Sequence, residues 1–159
     1  GVLMKPQVVR RIYNQKGRTV VSFPPSSRRR VLSRQTASLL TDALTEVVSD
    51  QGTAPKAALP GYHVAGKTGT SRKIIDGQYT REKHVASFSG FFPAGNPRVV
   101  ITVVVDAPQC KGIAYGGRVA APSFRNVAEA VRAYLGIQRV DEPLNLDRYG
   151  NVLTKTNIP

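Results

Sequence analysis

The chain has 159 residues, about one domain, and its hydrophobic share of 41% is ordinary for a globular protein. Its charge is unusual, because 23 lysines and arginines against 10 acidic residues give a formal net charge of +13. This excess predicts attraction to anionic surfaces. Because no zinc pattern, RNP-like aromatic motif or basic heptad region accompanies it, we expect no nucleic-acid binding. The single cysteine, Cys110, excludes an internal disulfide and a cysteine metal cluster, and we expect neither a metal nor another cofactor. No apolar run reaches the roughly 18 residues of a membrane span.

The basic residues are concentrated near the start of the chain, where no aspartate or glutamate precedes Asp42. Arg28, Arg29 and Arg30 are consecutive. The simplest interpretation is a solvated basic face, and a surface that docks on a partner or on an anionic polymer is the alternative.

The first elements in chain order are a predicted β-hairpin and a helix. Residues 7–13 and 18–23 are β-prone, and the turn-forming residues between them include Gly17. Ser33 can cap a helix that extends to about Asp50, since apolar residues recur there at three- and four-residue spacing.

The rest of the chain predicts three consecutive strands and a last helix. The predicted elements are strands 62–70, 84–92 and 99–105, a turn or hairpin at Asp76-Gly77, and a helix from a Ser123 cap to about Leu135. The strand at 99–105 is continuously apolar, which is typical of a strand covered on both faces. Short links favour antiparallel pairing, so the predicted fold class is α+β, an antiparallel sheet packed by helices. Residues 138–159 are polar and patternless, and we expect a peripheral tail.

A formal phosphate-loop match lies in the middle of the chain. Residues 61–68 fit G-x-x-x-x-G-K-[ST], and the apolar strand before Asp106 resembles a magnesium-binding strand. A phosphate loop needs a strand before its first glycine and a helix after its lysine, so that helical N–H groups face the phosphates. Residues 57–60 show no strand pattern, and the β-branched and glycine-containing residues after Lys67 are poor helix formers. We therefore disfavour nucleotide binding.

The tetrapeptide Lys67-Thr68-Gly69-Thr70 is better interpreted as a strand that lines a cleft. Lys67 and Gly69 would share one face of that strand, and Thr68 and Thr70 the other. Glycine allows a substrate backbone to approach closely, and threonine hydroxyls can donate to a carboxylate. The backbone N–H of Thr70 can point at a developing oxyanion. Lys-Thr-Gly is also one of three signature elements of serine penicillin-recognising enzymes.

The residues around the tetrapeptide resemble the class B penicillin-binding proteins, most of all the cell-division type. The resemblance lies in residues 66–94, Asn96-Pro97-Arg98, Tyr115-Gly116-Gly117, residues 120–124 and the opening Leu3-Met4-Lys5-Pro6. It covers residues 1–137, which are expected to be the C-terminal part of a transpeptidase domain.

This resemblance implies a peptidoglycan D,D-transpeptidase, which cross-links stem peptides through a serine acyl-enzyme and is acylated by β-lactams. It implies that Lys67 organises the proton network around the serine. It also implies that Thr68 and Thr70 bind the terminal carboxylate of donor or drug, and that the Thr70 N–H is one of two oxyanion donors. Gly69 belongs to the same substrate-binding strand, and Tyr115 is a candidate for substrate contact.

The resemblance further implies partners and a location. The partners would be peptidoglycan stem peptides, β-lactam antibiotics, the remainder of the transpeptidase domain and other cell-division proteins. The location would be the periplasmic face of the bacterial inner membrane.

Two signatures of that family are missing from the sequence. No serine has a lysine three positions on, and none has an asparagine two positions on, so S-x-x-K and S-x-N are both absent. We therefore expect a fragment that lacks the nucleophile and is inactive alone. The residues that follow Gly1 resemble the middle of a domain, which agrees with this expectation. A non-catalytic basic interaction module is the alternative function.

Overall fold

The computed structural model describes residues 1–110 and 112–139, without the side chain of Arg81, and the chain divides into two units, Gly1–Leu40 and Thr41–Pro159. In chain order the elements are β1 (Val2–Met4), β2 (Arg11–Tyr13), β3 (Thr19–Ser22), β4 (Ser27–Arg30), α1 (Arg34–Glu46), a 3-10 helix (Pro55–Ala57), β5 (Ala65–Ile75), β6 (Gln78–Phe92), β7 (Val99–Asp106) and α2 (Gly116–Leu135). Most of the predicted tail, residues 140–159, lies outside the described residues.

The first unit contains the predicted hairpin, β2 paired antiparallel with β3, although both strands are shorter than expected. Its turn is closed by the Asn14 side chain, whose Oδ1 accepts the backbone N–H groups of Lys16 and Arg18, each at 3.0 Å. Gly17 adopts a φ of 72°, which glycine reaches at little cost. The hairpin is therefore fixed by local turn chemistry.

The second strand pair of this unit, β1 with β4, was not predicted. The two strands pair antiparallel, with Leu3 opposite Arg29 and Val2 opposite Arg30. An arginine-rich segment after two prolines carries no strand signal, because arginine has no β preference and proline interrupts a ladder. All residues of β1 to β4 are exposed in this chain.

Helix α1 begins where the sequence predicts. The Ser33 Oγ accepts the backbone N–H of Thr36 at 3.0 Å, the geometry of an N-cap. The helix ends at Glu46, four residues before the predicted Asp50, and turns follow it.

The second unit is built on a three-stranded sheet in the order β5-β6-β7, with both neighbouring pairs antiparallel. This arrangement, with α2 packed against it, confirms the predicted α+β class. β5 and β6 form one long hairpin whose turn is Asp76-Gly77, with φ values of 50° and 76°. Both strands extend toward this turn beyond the predicted bounds.

The prediction that residues 99–105 are covered on both faces is wrong for this chain. Ile101, Val103 and Val105 pack against the core, whereas Val100 and Val104 are 71% and 60% exposed. β7 is an outer strand of the sheet, and helix α2 packs against the sheet on the core side. A continuous apolar run cannot reveal which of its two faces a helix will cover.

The core of this unit lies between the sheet and α2. Phe88 and Phe92 of β6 and Phe124 of α2 are fully buried, and the rings of Phe88 and Phe124 meet edge to face at 4.8 Å. The alanines of α2 at 120, 121 and 128 are also fully buried, so the helix approaches the sheet closely.

The last helix begins at Gly116, not at the predicted Ser123 cap, so that prediction is wrong. Pro122 lies inside the helix and removes one backbone donor, which the sequence pattern treats as a stop. The two glycines in the first turn bring the backbone against the sheet, and this packing outweighs the local proline signal.

One ion pair near the end of α2 supports a core tyrosine. The Arg132 Nε donates to Glu129 Oε2 at 2.7 Å, and this bond raises the pKa of Arg132. The guanidinium carbon lies 5.8 Å from the centre of the Tyr62 ring. The Arg132–Glu129 pair lies in α2 and is not part of the 67–70 strand. Arg132 keeps its charge at all physiological pH values.

Candidate substrate-binding site

The tetrapeptide 67–70 lies in β5, the outer strand of the three-stranded sheet opposite β7. Its inner neighbour is β6, with Lys67 opposite Ser89 and Gly69 opposite Ser87. β5 continues as a strand to Ile75, so no helix follows Lys67. The phosphate-loop geometry is therefore not present, as the sequence context predicted.

Lys67 is exposed, and its ammonium group folds back over the next residue. The Nζ donates to the Thr68 carbonyl oxygen at 3.0 Å and to Thr68 Oγ1 at 3.3 Å. The Lys67 and Thr68 side chains project from opposite faces of the strand, but the Lys67 side chain is long enough to reach around the strand edge to Thr68. A positive charge is thereby held beside the Thr68 hydroxyl, whose oxygen serves as an acceptor.

Thr70 is tied to the first turn of α2. The backbone N–H of Gly116 donates to Thr70 Oγ1 at 3.1 Å. Because the oxygen accepts this bond, the single hydroxyl proton of Thr70 is left for another acceptor. The start of α2 therefore sets the direction in which Thr70 can donate.

The first turn of α2 is seated on the sheet with no room for a side chain. A Cβ on Gly116 would lie 2.1 Å from the Ser87 carbonyl oxygen and 2.7 Å from that of Gly69. A Cβ on Gly117 would lie 1.9 Å from the Thr53 carbonyl oxygen. The Gly116-Gly117 step thus holds the 67–70 strand and the segment around Thr53 in fixed positions.

A cavity of about 460 Å³ opens beside the two threonines. Its lining is Thr53, Pro55, Lys56, Thr68, Thr70, Tyr115, Gly116, Gly117 and Arg118. The cavity brings together three of the predicted site residues, Thr68, Thr70 and Tyr115. Lys67 and Gly69 do not line it, although they belong to the same strand.

Tyr115 stands at the rim of this cavity. It is the residue before α2, makes no side-chain capping bond and is 58% exposed. Its ring is available to a molecule in the cavity, so the structure leaves Tyr115 as a candidate for substrate contact.

Three polar lining residues were missed by sequence reasoning: Thr53, Lys56 and Arg118. Residues 51–60 were interpreted as a loop because of their prolines, and nothing in that pattern connects them to a strand a dozen residues later. Arg118 was hidden because the helix was predicted to begin at Ser123. Only the folded contacts reveal these residues.

A family model for the penicillin binding protein transpeptidase domain matches residues 1–129 of this chain. The chain belongs to the penicillin-binding protein transpeptidase family. The match includes the first unit and the second unit as far as residue 129, with the 67–70 strand, and it confirms the resemblance drawn from the flanks of the tetrapeptide.

Two curated relatives are similar to most of this chain. A Neisseria flavescens protein named Probable peptidoglycan D,D-transpeptidase PenA is 40% identical over 109 residues, which is 69% of this chain and 27% of the relative. Stage V sporulation protein D of Bacillus subtilis is 41% identical over 122 residues, which is 76% of this chain and 18% of that protein. The chain therefore spans about a quarter or less of the length of these two relatives.

Solved structures of the family share the fold. Penicillin-binding protein 3 of Mycobacterium tuberculosis, complexed with ampicillin, matches with a TM-score of 0.73 and 30% identity, over 90% of this chain and 33% of that one. The transpeptidase domain of Burkholderia pseudomallei penicillin-binding protein 3 matches with a TM-score of 0.65 and 40% identity, over 76% of this chain and 36% of that one. Within the described residues of our chain, no helix is both long and apolar enough to cross a membrane.

Proposed function

We propose that this chain is part of a peptidoglycan D,D-transpeptidase and supplies its substrate-binding strand. The observation that carries the proposal is the position of Lys67-Thr68-Gly69-Thr70 on an outer strand, with Thr68 and Thr70 lining one cavity in a chain that belongs to the transpeptidase family. The family assignment gives no support to the alternative, a non-catalytic basic module.

The proposed reaction is acyl transfer between stem peptides. A serine hydroxyl attacks the carbonyl carbon of the D-Ala-D-Ala peptide bond of the donor, loses its proton to a base and forms an acyl-enzyme. The terminal D-alanine leaves after its amine receives a proton. An amine of a neighbouring stem peptide then attacks the ester and releases the serine. A β-lactam acylates the same serine as its ring C–N bond breaks, and it remains attached because the leaving nitrogen stays joined to the acyl group and cannot depart.

The residues of β5 bind and orient the donor in this scheme. Thr68 and Thr70 donate hydrogen bonds to the terminal carboxylate, and Lys67 supplies positive charge close to the Thr68 hydroxyl. The Thr70 N–H stabilises the oxyanion together with a second donor at the nucleophile, and one such donor is typically worth about 10²–10³ in rate. Gly69 leaves room for the peptide backbone, and Tyr115 contacts the donor from the rim.

The nucleophile and its lysine do not come from these 159 residues, since no S-x-x-K occurs in them. We propose that the remainder of the transpeptidase domain supplies them, and that this chain alone is not acylated. Residues 1–137 would form the C-terminal part of that domain, with 138–159 as a peripheral tail. The protein would act at the periplasmic face of the bacterial inner membrane with other cell-division proteins.

Substitution of Thr70 in the complete protein tests this function. We expect Thr70→Ala to slow acylation by benzylpenicillin about 10- to 100-fold, because a hydrogen bond to a charged group is typically worth about 1.5–3 kcal/mol. Second-order acylation rates measure the effect. Thr70→Ser keeps the hydroxyl and should keep most of the rate, and Thr19→Ala, an exposed strand threonine of the first unit, is the matched control.

An unchanged rate for Thr70→Ala would show that the Thr70 hydroxyl points away from the ligand. If the unsubstituted complete protein reacts with no β-lactam, the proposed function itself is wrong.

A further inference from the structure

The cavity beside β5 has a second wall, made by the segment 53–56. The first wall holds Thr68 and Thr70 on the strand, and the second contributes Thr53 and Lys56. Resting on the function proposed above, we propose that Thr53 and Lys56 form a further anion subsite that selects donors and drugs with a free carboxylate.

The lining of the cavity fits an anion. Among the described residues that line it, the charged members are the cations Lys56 and Arg118, and none is an aspartate or glutamate. Three threonines, Thr53, Thr68 and Thr70, line the same space. A carboxylate has no donor of its own and requires such hydrogen-bond donors and cations around it.

Thr53 is coupled to the strand hydroxyls. Its Oγ1 lies 3.4 Å from Thr68 Oγ1, which also accepts from the Lys67 ammonium at 3.3 Å. Thr53, Thr68 and Lys67 therefore form a row of hydrogen-bonded side chains, with the positive charge of Lys67 at one end. A carboxylate that displaces the Thr53–Thr68 contact can receive the hydroxyl protons of both threonines, so Thr53 extends the strand receptor by one donor.

The second wall is held rigidly. The N–H of Ala54 donates to the Val47 carbonyl at 2.8 Å, and Ala54 and Ala57 are fully buried. The Thr53 carbonyl lies against Gly117, where a Cβ would come within 1.9 Å. Thr53 is thus positioned before a ligand arrives, which lowers the entropic cost of binding.

Lys56 supplies charge at the opening. It lies in the 3-10 helix Pro55–Ala57, and its side chain is exposed. Among the residues that the structure describes, no carboxylate forms an ion pair with it. Its ammonium group can therefore attract a ligand anion, with an effect that falls as salt rises.

The test uses the complete protein and two probes, benzylpenicillin and its methyl ester, which differ in the free carboxylate. The readout is the ratio of their second-order acylation rates. We expect Thr53→Val to reduce this ratio about 10-fold, in the range for a hydrogen bond to a charged group. Thr53→Ser, which keeps the hydroxyl, should restore the ratio. A purely structural role would slow both probes equally and leave the ratio unchanged, which would overturn the proposal for Thr53.

Lys56 is tested separately, because its exposed side chain can change without disturbing folding. We expect Lys56→Gln to lower the ratio about 2- to 5-fold at low salt and less at high salt, as for an exposed charge pair. Lys83→Gln, an exposed lysine outside the cavity, is the matched control. An unchanged ratio for Lys56→Gln would remove Lys56 from the subsite. An unsubstituted protein that neither probe acylates would instead overturn the proposed function.

Discussion

The two units of the chain differ most in how their side chains are covered. In the first unit, residues 1–36 are all exposed, and the strands form two separate pairs. In the second, three phenylalanines are fully buried between a three-stranded sheet and α2.

Charge follows the same division. The first unit has no acidic residue, and its cations are Lys5, Arg10, Arg11, Lys16, Arg18, Arg28, Arg29, Arg30 and Arg34. In the second unit, three threonines and two cations line one cavity. Local turn chemistry accounts for the β2–β3 hairpin of the first unit, whereas the candidate site depends on packing in the second.

The largest expected effect is on the core of the second unit. In the 159-residue chain, Phe124→Ala should reduce the free energy of unfolding by about 3–5 kcal/mol, because it empties a fully buried ring position. Phe23→Ala, at a residue 42% exposed in the first unit, should cost less than about 1 kcal/mol. Urea titration measures both. Equal losses would contradict the division into a packed and an unpacked unit.

The next effect is on the contact that positions the site. Gly117→Ala should cost about 1–3 kcal/mol, because its Cβ would lie 1.9 Å from the Thr53 carbonyl oxygen and the backbone must shift. Gly95→Ala has no atom within 4 Å of its new Cβ and should change stability by less than about 0.5 kcal/mol. If Gly117→Ala left the free energy of unfolding unchanged, α2 would not be in close contact with the Thr53 segment.

A smaller effect is expected at the salt bridge between β5 and β7. The Lys73 Nζ and Asp106 Oδ2 are 2.7 Å apart, and their side chains are 33% and 61% exposed. Lys73→Met should cost at most about 1 kcal/mol at low salt and less at high salt. A double-mutant cycle with Asp106→Asn isolates the pair. A coupling well above this value would mean that the pair is shielded from water.

Sequence reasoning reached the elements that rest on local chemistry. The Asn14–Gly17 turn, the Ser33 cap and the Asp76-Gly77 turn each have a side-chain or backbone cause within a few residues. The Lys67–Thr70 strand also followed from its flanks, because glycine and β-branched residues exclude the helix that a phosphate loop needs.

The features that the sequence did not predict depend on tertiary packing. Helix α2 begins at Gly116 because two glycines allow close packing on the sheet, which no local rule for Pro122 anticipates. Val100 and Val104 are exposed because only one face of β7 meets the core. Thr53 and Lys56 join the site only through the fold, since their own segment shows nothing but loop chemistry.

The most direct test of the account is where benzylpenicillin becomes attached. The complete protein and the 159-residue chain are each incubated with it, and intact mass and peptide mapping locate the adduct. We predict one penicilloyl group on the complete protein, on a serine outside these 159 residues, and none on the chain alone. A stoichiometric adduct on any serine of this chain, or no adduct on the complete protein, would contradict the claim that these residues bind the ligand while the nucleophile lies elsewhere.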